Sequence, residues 1–307
     1  MLAGRRHVAD NFGNGRRFMR NSEREAAAKE AADAVRTITQ LPFPFEHDDL
    51  GPIGLELGTG WGDVLQVENP CRIRLPQIPG FSRLRNLEGH ARELVVGRVN
   101  GKQVIALRGR IHLNEAPDDN TETLKMARLQ IEMLIQLGVK NLILTSAVGA
   151  LKPPTAGIGH VGCDQLAVGD ICVVDGFVTL FAPQMPLWGG EFCSPEDTLD
   201  EHLQHFARIS ACGLGVHIGS HVMLLGPWFE GRKNDKRLLA QTGAKVVGMS
   251  GLPGACVAAL YPGVRVLFLC FVTNDDVEAH SHEENLARAK ASSPKLGGYL
   301  ERIIGRI

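Results

Sequence analysis

The sequence predicts an α/β layer fold in one domain, with a large mixed sheet and helices on its faces. Two observations carry this. Apolar, β-branched runs alternate with Ala- and Leu-rich amphipathic runs throughout the chain, with no internal repeat and no low-complexity linker between them. In addition, 307 residues that are 44% hydrophobic are enough to bury one large core. The division expected is a leader and first helix over 1–50, then one domain over 51–307.

The elements follow in order. Residues 1–21 form a basic leader with Arg5, Arg6, Arg16, Arg17 and Arg20 but no apolar segment of the secretory kind. It reads as a flexible tail in preference to an organelle-targeting leader. Ser22-Glu23-Arg24-Glu25 is a capping box, and Ala27, Ala31, Val35 and Ile38 repeat at helical spacing until Pro42 and Pro44. Ile53–Leu57 is a short apolar strand running into glycines. Leu94–Val99 and Gln103–Leu107 flank Asn100-Gly101, the dipeptide best suited to a type I′ hairpin turn. Thr121–Leu137 is helical to Gly138, and Asn141–Val148 is a buried strand. Ile171–Val174 and Val222–Leu225 are further strands. Asp235–Gln241 is a helix, Val246–Met249 a strand, Gly254–Leu260 a short helix and Val264–Val272 the most strand-like run. Glu283–Ile304 is a long terminal helix.

Composition excludes several classes. Lys+Arg total 33 and Asp+Glu 34, so no overall positive field favours nucleic acid or an anionic membrane. No apolar stretch reaches the roughly 20 residues that span a bilayer. The 7 cysteines (Cys71, Cys163, Cys172, Cys193, Cys212, Cys256, Cys270) are odd in number, irregular in spacing and contain no C-x-x-C pair. That argues against a disulfide framework or a zinc knuckle and for packing thiols in a reducing, cytoplasmic compartment.

In open α/β sheets ligands bind beyond the carboxyl ends of strands, and six such ends carry polar residues. Gly58-Thr59-Gly60-Trp61-Gly62-Asp63 follows the first strand; its glycines let backbone amides approach an anion, and an ordinary structural turn explains them equally well. A dinucleotide fingerprint fails because Asp63 stands where the third glycine belongs. Arg110-Ile111-His112 sets a guanidinium and an imidazole on one face of an extended segment, able to grip one phosphate. Phe229 could stack on a flat ring, with Glu230 at the ring edge accepting from an N–H. Asn274 offers both a donor and an acceptor. Val247-Gly248-Met249-Ser250 allows close backbone approach, with Met249 over a sugar face. Each motif alone has a plain alternative as a turn, a cap or packing.

Together these segments resemble the trimeric purine nucleoside phosphorylases, in the same order along the chain. The stretches are Gly54–Gly60, Gly89-His90-Ala91, Gly109–His112, Thr145-Ser146-Ala147-Val148-Gly149, Gly226–Glu230, Gly243–Ser250, Val272-Thr273-Asn274 and His282-Glu283-Glu284. The resemblance implies a partly barrel-like sheet. It also implies phosphorolysis of inosine or guanosine to the free base and ribose 1-phosphate in purine salvage, without metal or organic cofactor, in a homotrimer. By the same resemblance Thr59, His90, Arg110, His112, Ala147 and Ser250 would bind phosphate. Phe229, Glu230, Val247, Met249, Thr273 and Asn274 would bind the purine. His221, Met249, His282 and Phe192 would meet the ribose, Phe192 being lent by a neighbouring subunit. Asn274, Glu230 and His112 would be the catalytic groups.

Five departures from the family pattern stand out: Asn114 for Tyr, Arg92 for Gly, Gly254 for Glu, the Gly231–Asp235 segment, and a short loop over Asp175–Phe192. They leave open a catalytically weak nucleoside-binding homologue. Thr59 keeps 5′-methylthioadenosine phosphorolysis as a rival, which Asn274 and Glu230 oppose.

Overall fold

The chain closes five of its strands, the two longest among them, into a ring and leaves the remaining strands as a sheet extending from it. The computed structural model describes residues 22–40, 51–81, 91–113, 115, 120–152, 166–187, 190–226, 229–231, 234–275 and 281–307. The leader, Pro42, Pro44, His90, Asn114, Cys163 and Trp228, all invoked above, lie outside them.

Among the described residues, nine strands form one mixed sheet in the order β2-β3-β4-β1-β5-β8-β7-β6-β9, and β9 pairs back on β5. They are β1 Ile53–Leu57, β2 Glu68–Arg74, β3 Glu93–Val99, β4 Lys102–Arg108, β5 Asn141–Ala150, β6 Ile171–Val178, β7 Val216–Met223, β8 Val246–Gly248 and β9 Arg265–Asn274. The β5–β9 pairing is parallel and in register from Asn141 opposite Arg265 to Val148 opposite Val272. It closes β5, β8, β7, β6 and β9 into a five-stranded barrel. This is the single α/β domain with a partly barrel-like mixed sheet that the resemblance implied.

The α-helices among the described residues are α1 Ser22–Thr39, α2 Asn120–Gln136, α3 Glu201–Ile209, α4 Asp235–Gln241, α5 Leu252–Ala258 and α6 His282–Ile304. One core packs α1 (Ala28, Ala31, Val35), α2 (Ala127, Ile131, Leu134) and α5 (Ala255, Val257) on one face of the sheet. A second packs α3 (Leu203, Ala207) and α6 (Ala289, Leu296, Leu300, Ile303) on the other. Covering both faces is what lets β1 and β5 be apolar almost throughout.

Local chemistry explains most boundaries. Asn100 and Gly101 have φ of 51° and 74°, the pair of positive values a type I′ turn requires, and β3 and β4 pair antiparallel around them. Ser281 caps α6: its Oγ accepts from the Glu284 amide at 3.1 Å while the Glu284 carboxylate accepts from the Ser281 amide at 2.7 Å.

Three readings are corrected. β2 went unread because Glu68–Arg74 is mostly exposed and polar, a strand made by its antiparallel pairing with β3. The α3 segment also went unread, although Asp200 caps it by accepting from the Leu203 amide at 2.9 Å. The seventh strand covers Val216–Met223, not Val222–Leu225, because its first half is only partly buried and so carries polar residues. No helix among the described residues is long and apolar enough to cross a membrane.

Candidate active site

Strand ends and the start of α6 enclose a cavity of about 320 Å³. From the carboxyl ends of β1, β4 and β5 come Thr59, His112 and Ser146–Gly149. After β7, Phe229 and Glu230 enter the wall, and Val247–Ser250 enter it from β8. Thr273 and Asn274 close β9, while His282 and Asn285 belong to the first turns of α6. Of the expected residues, Thr59, His112, Ala147, Ser250, Phe229, Glu230, Val247, Met249, Thr273, Asn274 and His282 all meet here.

The cavity has two chemically different ends. At one, the Ser146 and Ser250 hydroxyls are 3.2 Å apart beside the Ala147 backbone, with Thr59 and His112 nearby. Glu115 organises His112: its Oε1 accepts from the His112 backbone amide at 2.5 Å and lies 3.3 Å from Nδ1. Burial acts to raise the Glu115 pKa, but hydrogen bonds from His112 and Arg92 hold it at about 2. An ionised carboxylate can only accept, so the Nδ1 proton belongs on His112. Burial itself lowers the His112 pKa, favouring the neutral ring.

Arg92 fixes this arrangement. Its guanidinium ion-pairs with Glu115 and donates to the Arg110 carbonyl. Its φ is 52°, the left-handed region where glycine is at ease. Sequence reading noted Arg92 but not its role; neither the ion pair to Glu115 nor the positive φ has a local signature.

Arg110 requires a correction. It does not line the main cavity. Its side chain is buried beneath the Gly58 turn, where Nη2 donates to the Thr145 carbonyl. A Cβ at Gly58 would overlap that guanidinium. Arg110 instead lines a neighbouring gap of about 10 Å³, which shares His112, Met249 and Ser250 with the cavity. Glu56 lines the same gap. That carboxylate, within a strand read as a short apolar run, is buried and accepts from Gln130 Nε2 at 3.2 Å. Burial raises the Glu56 pKa and the Arg110 charge lowers it; burial lowers the Arg110 pKa and the Glu56 charge raises it. Glu56 Oε2 faces the bare Cα of Gly254, where an added Cβ would stand 3.0 Å away. Gly254, one of the departures, therefore makes room for a carboxylate supplied by β1.

His221 is the second correction. It is fully buried, its ring 5.2 Å from that of Phe268 and 6.3 Å from that of Phe177, and it does not line the cavity; its Nε2 faces the bare Cα of Gly248, where an added Cβ would stand 2.9 Å away. Burial first, and the Arg110 charge second, push its pKa down to about 3. Phe192 is also absent from the cavity wall and is 85% exposed.

The other end is suited to a heterocycle. Phe229 lies beside Glu230 and Asn274, both almost fully buried. Asn274 Nδ2 donates to Thr273 Oγ1 at 3.2 Å, and that hydroxyl donates to the Val148 carbonyl. Lys236, from α4, donates to Asn274 Oδ1 at 2.8 Å and lies 3.3 Å from Glu230 Oε1. Sequence reading missed Lys236 because 38 residues separate it from Asn274 and nothing in its own helix marks it.

The model of the phosphorylase superfamily matches residues 52–305, so the chain belongs to that family. The purine nucleoside phosphorylase of Mycobacterium tuberculosis is 31% identical over 287 residues, covering 91% of this chain and 96% of that protein. The mouse purine nucleoside phosphorylase is 29% identical over 290 residues, covering 88% and 94%. The crystal structure of Schistosoma mansoni purine nucleoside phosphorylase in complex with inosine matches at a TM-score of 0.74 and 25% identity, covering 92% and 96%.

Proposed function

We propose that this enzyme cleaves purine nucleosides with inorganic phosphate, preferring 6-oxopurines, to release the base and ribose 1-phosphate. The observation that carries the reading is the single cavity joining two ends. One is a hydroxyl, imidazole and backbone cradle sized for an anion, and the other an aromatic, carboxylate and amide set suited to a purine edge. Its 320 Å³ volume falls within the range typical of small-molecule sites.

The base stacks on Phe229. Glu230 accepts from N1–H, and Asn274 Nδ2 donates near N7 and the 6-oxo group. The ribose lies against Met249 and His282. Phosphate occupies the end formed by Thr59, His112, the Ala147 backbone and Ser250. His90 completes it in the family pattern, and Arg110 faces the same end from the adjoining gap. As the N9–C1′ bond lengthens, its electron pair moves into the purine and positive charge gathers on the sugar. Asn274 stabilises the departing base. The phosphate dianion stabilises the sugar and then forms the C1′–O bond. These are positioning and electrostatic effects, and they call on phosphate as co-substrate and on no further cofactor.

Residues 51–307 form the catalytic domain, preceded over 1–50 by a leader and the helix whose Ala28, Ala31 and Val35 pack into its core. The assembly is a homotrimer, in which Phe192, exposed here together with Leu180, reaches a neighbour's ribose site. The compartment is the cytoplasm. A coupled assay of hypoxanthine release from inosine decides the reading. Release that requires phosphate supports it, and no release with phosphate present rejects it.

A further inference from the structure

Lys236 is an ammonium group buried behind the base end of the cavity, and the described cavity wall does not include it. Its side chain is 2% exposed. Nζ lies 2.8 Å from Asn274 Oδ1, 2.8 Å from the Asp275 carbonyl and 3.3 Å from Glu230 Oε1. All of this converges on Gly149: a Cβ there would stand 2.7 Å from Asn274 Oδ1, 2.9 Å from Lys236 Nζ and 3.0 Å from Glu230 Oε1. The missing side chain at 149 is thus what lets an amide, an ammonium and a carboxylate meet at one point.

An ammonium only donates. Its bond to Asn274 Oδ1 therefore settles which way the Asn274 amide faces: the oxygen is committed to Lys236, and Nδ2 is left as the donor. Glu230 Oε1 lies 3.3 Å from the same ammonium, and its carboxylate is the acceptor of the pair. The pair then offers one donor and one acceptor to a purine edge. A 6-oxopurine presents the complement, with acceptors at N7 and O6 and a hydrogen on N1. A 6-aminopurine presents a donor at position 6 and a bare lone pair at N1, which faces a carboxylate and an amide N–H in the wrong order. Sites built on such paired groups reject the mismatched analogue strongly, because their own buried polar atoms would be left unpaired.

We infer that Lys236 is the positioning residue that makes the base end selective for 6-oxopurines, acting through Glu230 and Asn274. This rests on the cavity being the nucleoside site.

The test compares the wild type with Lys236→Met and Lys236→Arg, using calorimetric binding of hypoxanthine and adenine alongside phosphorolysis of inosine and adenosine. Lys236→Met should weaken hypoxanthine binding about thirtyfold or more, on the scale expected when one partner of a buried charge pair is removed. Adenine binding should change much less, so the hypoxanthine-to-adenine ratio should narrow at least tenfold. Lys236→Arg keeps the donor charge and should restore much of that ratio. A purely structural role would lower both bases equally, and an unchanged ratio in Lys236→Met overturns the inference. If Lys236→Met does not fold, Lys236→Gln, which keeps a neutral donor of similar length and leaves Glu230 untouched, carries the same prediction of a narrowed ratio. Because binding is read separately from turnover, a wild type that binds hypoxanthine but releases no base would reject the proposed reaction and leave the selectivity test standing.

Discussion

Glu115 accepts from both nitrogens of His112 that it can reach, the backbone amide at 2.5 Å and the ring Nδ1 at 3.3 Å. One carboxylate thereby fixes the position of the strand end and the tautomer of the ring. Glu115→Gln keeps the shape but loses the charge. Hydrogen bonds to charged groups contribute about 1.5–3 kcal/mol, so the KM for phosphate should rise roughly ten- to a hundredfold, with base affinity nearly unchanged. Initial-rate kinetics with phosphate varied at saturating inosine check this.

Arg92 sets two effects against each other. A non-glycine residue at a φ of 52° costs about 1 kcal/mol, which Arg92→Gly would recover. The same change leaves Glu115 without its buried partner, a loss of about 3 kcal/mol. The second effect is larger. Arg92→Gly should therefore lower stability by about 2 kcal/mol in denaturant titration and raise the KM for phosphate. A variant more stable than wild type would show that backbone strain dominates.

His221 gives the protein an acid sensitivity of known sign. Its pKa is near 6.5 when unfolded and about 3 in the fold, so the fold favours the neutral ring. Its contribution is complete above pH 6.5 and declines as pH falls, by about 1.4 kcal/mol per unit, until the folded pKa is reached. His221→Phe, which can pack between Phe177 and Phe268, should lose about 2 kcal/mol less than wild type between pH 7 and pH 5. Urea titrations at the two pH values measure the difference, and equal losses would remove His221 from the acid response.

Asn274→Asp exchanges a donor for an acceptor at the leaving base. Removing one fixed transition-state donor costs about 3 kcal/mol, so kcat/KM for inosine should fall on the order of a hundredfold. Adenosine cleavage should rise, because a carboxyl group can accept from a 6-amino group. An inosine-to-adenosine ratio equal to that of the wild type would take Asn274 out of base recognition.

Elements with local signatures were legible in the sequence. Asn100-Gly101 marked its hairpin, and the polar residues at strand ends marked the cavity wall from Thr59 to Asn274. What was not legible depends on distant partners. The closure of β9 on β5 depends on the register of two strands more than a hundred residues apart. Glu56 looks like an intruder in an apolar strand until Arg110 and the bare Cα of Gly254 stand beside it. Lys236 looks like a surface lysine until α4 turns it toward Asn274. His221 was assigned to the ribose by resemblance alone, and it packs instead between the rings of Phe177 and Phe268.

Phosphorus NMR of the enzyme with inosine and inorganic phosphate tests most directly whether one cavity holds both reactants. The account predicts that ribose 1-phosphate appears in step with hypoxanthine while phosphate is consumed. Free ribose formed with phosphate unchanged, or no base released, would contradict it.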